Sequence, residues 1–189
     1  MREMDSASFV RRVIDRCRDR QFAMSLCYTY EPYYHPGCLS SLGSLGVDLN
    51  NAAECRACAV ICASLARSGM RQDGTAGLGE AIFLSMKDMN PKTAEMRLIS
   101  VVDGFCLHEV CWALTPVLHT VARNAPGCLC HARLLDELRH FERARDNIRR
   151  TWVHDFCEAR KAAQSQTDGM TARDSLGRDQ DFDGGPSPR

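Results

Sequence analysis

The residues most able to do chemistry are the cysteines, of which this chain has eleven. Thiolates are soft ligands that suit zinc, Cu(I) and iron–sulfur clusters, and a zinc site takes four ligands in a tetrahedron. Cys55-x-x-Cys58 has the spacing of half such a site, and Cys128-Leu-Cys130-His131 is the candidate other half. Cys62 follows Cys58 by four residues, so Cys55, Cys58 and Cys62 fall on one stripe of a helix. The candidate metal ligands are therefore Cys55, Cys58, Cys62, Cys128, Cys130 and His131, with Zn or Cu as the cofactor. The opposing reading needs no cofactor and treats the same thiols as small buried hydrophobes.

Signals for catalysis are poor. His108-Glu109-Val-Cys-Trp112 lacks the second histidine of a zincin, and no glycine-rich phosphate loop follows a strand. Cys157 and His154 stand three apart, a spacing that occurs often by chance on helices. No catalytic residue is predicted, and the chain reads as a non-enzyme.

Two families resemble parts of this chain. The segment AAECRACAVICASLA, from Ala52 to Ala66, resembles the cysteine-lined helices of the four-helix copper-storage proteins, which implies thiols lining a bundle core and holding Cu(I). The odd cysteine total is similar to that of the stanniocalcins. So are Cys62-x-x-Leu65-x-x-Ser68 with Asp73 downstream, and Phe105-x5-Cys111-x-x-Leu114 followed by Cys128. That resemblance implies a secreted signalling protein, stapled by disulfides and linked as a dimer.

The elements that must carry these residues read as helices. Ser6 or Ser8 can cap a first helix running to about Leu26, with Val10, Val13, Ile14, Cys17 and Met24 at helical spacing. Tyr28 to Gly37 holds all four tyrosines and two prolines and reads as a loop, and Cys38 to Leu49 after it is rich in Gly and Ser. Asn51 with Glu54 three residues later opens the cysteine helix, which ends near Gly69. Leu78, Ile82 and Met86 mark a third helix, and Met96, Ile99 and Val102 carry a fourth inward. After the break at Asp103-Gly104 comes an apolar helix through Val121. Its Glu109, His108 and His119 argue against a membrane span. A last, strongly periodic helix runs from Cys130 to about Ala163 through Leu134, Leu138, Phe141, Ile148, Trp152 and Phe156. The fold class is all-α: one cysteine-rich bundle of five or six helices over 1–163, with a disordered acidic tail over 164–189.

Charge and composition narrow the function. The 24 basic residues balance 24 acidic ones, which argues against a dedicated nucleic-acid binder. The absence of an apolar signal segment before Arg20 points to an intracellular protein, cytoplasmic or nuclear, while the cysteine count keeps secretion as the alternative. The leading function is a non-enzymatic adaptor or regulatory protein that binds another protein, a second copy of itself included. Its candidate anchors are Tyr28, Tyr30, Tyr33 and Tyr34 in the loop, and Trp152 and Phe156 on the last helix, because aromatic side chains bury much area at little rotamer cost.

Overall fold

The computed structural model describes residues 5–27, 36–87 and 91–177, and their regular structure is helical. The helices are α1 (Ser6–Arg16), α2 (Arg20–Cys27), α3 (Pro36–Ser44), α4 (Ala52–Ser68), α5 (Leu78–Met86), α6 (Pro91–Val102), α7 (Leu107–Asn124), α8 (His131–Arg139) and α9 (Phe141–Gly177). The only extended pairing among the described residues is a single parallel bridge between Ala76 and Leu129. No helix of the described residues is long and apolar enough to cross a membrane.

Among the described residues nine helices stand where five or six are expected, for three local reasons. The first expected helix is cut after Arg16. The Asp19 carboxylate accepts from Gln21 N (2.8 Å) and Phe22 N (3.4 Å), starting α2 afresh. The Gly/Ser segment after Pro36 is a helix despite its low propensity, because Cys38, Leu42 and Leu45 all become fully buried on one side of it. The last expected helix is broken at His140, and Ala144 departs from helical geometry (φ −129°, ψ 24°). The start of α1 also differs: Asp5, not Ser6 or Ser8, caps it by accepting from Ser8 N at 2.9 Å. Asn51 does cap α4, its side chain accepting from Glu54 N at 3.1 Å.

Helix α4 is the central strut. Its run from Ala57 to Leu65 is buried on every face, which for a helix this rich in Ala and Cys marks an element surrounded by others. Helix α5 lies directly on α9. A Cβ at Gly79 would stand 1.9 Å from Trp152 O and 2.7 Å from Phe156 N, so the two backbones touch there. Phe83 meets Phe156 edge-on beside the crossing, with ring centroids 5.8 Å apart. Gly79→Ala must push backbone against backbone, and overpacking of this kind costs about 2–3 kcal/mol. The expected fall in Tm is roughly 5–10 °C for a chain of this size, to be read by circular dichroism. An unchanged Tm would show that the crossing is looser than this geometry.

Candidate interaction surface

The thiols come first, because the sequence puts most weight on them. All eleven cysteines are unpaired, so nothing here supplies the disulfide framework that the stanniocalcin resemblance implies. Cys55, Cys58 and Cys62 are buried on α4, with Cys38 of α3 buried nearby. Burial pushes the Cys17 and Cys38 thiols up to about 11 and Cys111 up to about 12. Burial also drives Cys58 and Cys62 well above the ordinary thiol range, with Glu54 adding to the shift at Cys58. These groups are protonated near neutral pH. Two thiols of α4 have acceptors, Cys58 Sγ donating to Glu54 Oε1 (3.3 Å) and Cys55 Sγ to Asp48 O (3.4 Å).

Cys130 turns the other way, its Sγ pointing to Asp73 Oδ2 at 3.8 Å. The two halves of the expected metal set thus face different partners. Among the described residues no group of three or more His, Cys, Asp or Glu has metal-holding geometry. The reactivity pattern follows from exposure. Cys157, exposed on α9, is expected to alkylate first in the native protein. Cys58 and Cys62 should react on the order of a hundredfold more slowly, until denaturant opens the core. Timed alkylation with peptide mapping measures this, and fast native labelling of Cys62 would contradict the packing described.

His131 has a different role from the one its sequence neighbours suggest. It is 2% exposed, and both ring nitrogens are engaged, Nδ1 with Asp73 Oδ1 at 2.9 Å and Nε2 with Ser64 Oγ at 2.9 Å. An ionised carboxylate can only accept, so Nδ1 carries a proton and donates to Asp73, and Nε2 is left to pair with the Ser64 hydroxyl. The connectivity is that of a Ser-His-Asp triad, but the setting is not that of a hydrolase. Ser64 is 4% exposed within α4, where the neighbouring backbone N–H groups are spent in the helix rather than free to hold an oxyanion. The arrangement is a strut.

Asp73 anchors that strut. It also accepts from His131 N and Ala132 N, both at 2.9 Å, and so caps α8 from the glycine-rich turn. Gly74 lets that turn lie against the chain before α8, since a Cβ there would stand 2.2 Å from Cys128 O. Burial is the largest single influence on the Asp73 carboxyl and works upward. The hydrogen bonds from the His131 ring and from Ala132 N and His131 N together outweigh it and hold the pKa below the usual value. A depressed carboxyl contributes stability that is fully present above the unfolded pKa, about 4, and is lost as pH falls through the folded value. Asp73→Asn is expected to cost about 1–3 kcal/mol at neutral pH and to flatten the loss of Tm between about pH 5 and pH 3. Parallel acid limbs in the two proteins would contradict this.

The expected partner anchors sort in two ways. Tyr28, Tyr30, Tyr33 and Tyr34 lie outside the described residues. Trp152 and Phe156 point inward in this chain. Trp152 is fully buried, stacked on Phe141 with centroids 6.1 Å apart, and its Nε1 donates to Glu137 Oε2 at 2.6 Å. The break at His140–Ala144 is the physical reason, because it re-aims α9 so that Phe141, Ile148, Trp152 and Phe156 cover α5.

Of the large apolar side chains left exposed among the described residues, Met24, Leu49 and Val153 stand apart in other parts of the chain, and four gather on α6, α7 and the link between them. Met96 is 69% exposed, Ile99 46%, Phe105 73% and Trp112 59%. The inward face expected of α6, Met96, Ile99 and Val102, is not the one it uses: the helix turns Ala94, Leu98 and Val101 inward, one residue out of step, which leaves Met96 and Ile99 on the outer side. Trp112 is out of phase with Leu107, Val110, Cys111, Leu114 and Val117, the buried face of α7. That phase is the readable signal for Trp112, which the sequence patterns considered first do not single out.

Between α6 and α7 opens a cleft of about 600 Å³ lined by Ser100, Asp103, Gly104, His108, Glu109, Trp112 and Ala113. Its floor is held firmly. Glu109 Oε2 accepts from Phe105 N (2.6 Å), Glu142 Oε1 accepts from Leu107 N (2.8 Å), and the Arg149 guanidinium donates to Gly104 O. Arg145 lies over the Phe105 ring at 5.1 Å, joining the link to the start of α9. The result is a preformed surface on rigid elements, with its aromatic side chains presented to solvent.

No family model matches the chain, and no curated protein matches it. Among solved structures, the chain is similar to the crystal structure of CasB from Thermobifida fusca, with a TM-score of 0.57 and 16% identity, over 81% of this chain and 98% of that one. At that identity the likeness is one of fold, and it extends over nearly the whole of the other chain.

Proposed function

We propose that this chain is a non-catalytic helical subunit that works by docking onto other proteins in a larger assembly, with the α6–α7 face as its docking surface. The observation that carries the reading is the group Met96, Ile99, Phe105 and Trp112, four of the seven large apolar side chains exposed among the described residues, gathered on α6, α7 and the link between them. Exposed apolar groups rimmed by polar ones mark protein interaction sites, and aromatic anchors supply most of the energy at such sites. The likeness to CasB from Thermobifida fusca is one of fold, and the docking reading rests on the exposed face itself. The Ser64–His131–Asp73 chain has its hydroxyl and imidazole buried and ties α4 and α8 to the glycine-rich turn, which favours a structural over a catalytic use of it.

Photo-crosslinking in the native cell tests the surface. A crosslinker at position 99 is expected to capture protein partners in discrete bands. The same group at position 158, exposed on α9, is expected to capture few or none. Equal capture from both positions, or none from 99, would contradict the assignment.

A further inference from the structure

The α6–α7 cleft is acidic as well as apolar. Two carboxylates, Asp103 and Glu109, line it beside the Trp112 ring, and no Lys or Arg is among its lining residues. The Asp103 carboxylate has no hydrogen bond or ion pair among the described residues. Glu109 commits only one oxygen, to Phe105 N. Two arginines of α9 are engaged at the link, Arg149 on Gly104 O and Arg145 over the Phe105 ring. The Arg145–Phe105 pair shows, a few residues away, the chemistry that an exposed aromatic face offers a guanidinium.

We propose that the α6–α7 cleft, on the reading that this face is a docking surface, is a seat for a cationic side chain, an arginine or lysine, carried on an otherwise apolar segment of a partner protein. The cation would lie over the Trp112 ring and pair with Asp103 and the free oxygen of Glu109. Apolar residues on either side of it would cover Ile99 and Met96. Charge complementarity selects this occupant: two carboxylates with His108 beside them and no Lys or Arg in the lining disfavour a polyanion, and an aromatic ring with acids beside it fits a cation better than a purely apolar side chain.

The probe is a short acetylated and amidated Gln/Leu helical peptide with one central Arg, compared with versions carrying citrulline, which keeps the shape without the charge, or Glu. Trp112 is the reporter, since Trp152 is buried and remote from solvent. The Arg peptide is expected to shift Trp112 emission saturably. The citrulline version should bind about threefold to tenfold more weakly, as should the Arg peptide with the Asp103→Asn variant, and the Glu version should not bind. Asp103 is exposed at the end of α6, and circular dichroism checks that the variant is folded.

Equal binding of the Arg and citrulline peptides, or binding unaffected by Asp103→Asn, overturns the proposal and leaves a purely apolar dock. Absence of binding up to millimolar peptide also overturns it. So does a dimer in sedimentation that Trp112→Ala dissolves, because a second copy would then fill the cleft. Capture from position 99 alongside a failed peptide test would leave the docking surface standing without its cationic partner, so the two claims fail separately.

Discussion

Replacing Arg139 by Leu is expected to destabilise the bundle by about 3–5 kcal/mol, as removing one partner of a buried ion pair does. Arg139 ends α8 with its side chain 8% exposed. Its Nη2 donates to Glu54 Oε1 at 2.5 Å and its Nε reaches Glu54 Oε2 at 3.1 Å, while Nη1 donates to Ser6 Oγ at 2.8 Å. Ser6 Oγ in turn donates to Asp136 Oδ1 at 2.5 Å. One guanidinium thus joins α1, α4 and α8, and its loss leaves the Glu54 carboxylate half-buried beside the Cys58 thiol. The double change Arg139→Leu with Glu54→Leu should recover a good part of the loss, because no orphaned charge remains. Urea titration measures both. A single variant within about 1 kcal/mol of the parent would show the pair to be solvated like an ordinary surface bridge.

The second large effect is expected at Trp152. Trp152→Ala removes a fully buried side chain that stacks on Phe141 and packs where α9 crosses α5, and truncations of this kind cost about 3–5 kcal/mol. It also strips the indole donor from Glu137 Oε2. Burial already holds the Glu137 carboxyl above its usual range, against the lowering effect of that hydrogen bond and of Arg133. Trp152→Phe keeps part of the ring volume and should lose less than the alanine variant. If instead Trp152→Ala left the urea midpoint unchanged, Trp152 would not be a core residue, and its place as an exposed partner anchor would be open again.

How much of this is readable from the chain alone varies from element to element. The all-α class follows from the absence of period-two alternation. The limits of α4 follow from Asn51, Glu54 and Gly69, because capping chemistry is local: Asn51 does accept from Glu54 N, and Gly69 does take the left-handed conformation (φ 61°). The stripe of Cys55, Cys58 and Cys62 is legible as one face for the same reason, and all three are buried. Helix α3 is not legible. Its residues have weak intrinsic preference, and only the burial of Cys38, Leu42 and Leu45 against other elements decides it.

The breaks before α2 and α9 are hidden by a hydrophobic period that continues across them while the backbone does not. The site is the least legible part. His131 reads as a ligand because Cys128 and Cys130 precede it, yet its partners are Asp73 and Ser64, 58 and 67 residues away in the chain. Nothing local announces such a pairing. Trp112 and Phe105 are legible in principle. A ring out of phase with the buried face of its helix must point to solvent, but helical phase is fixed only once the start of α7 is known, and that start depends on Glu109 and Glu142 capping it from the side.

The most direct test of the central claim is native mass spectrometry of the tagged chain isolated gently from its own cells, side by side with Trp112→Ala. The account predicts that the parent chain is recovered in an assembly of defined stoichiometry with other proteins, and that the folded Trp112→Ala variant is recovered largely alone. A parent chain recovered alone, or an assembly indifferent to the loss of Trp112, would contradict it.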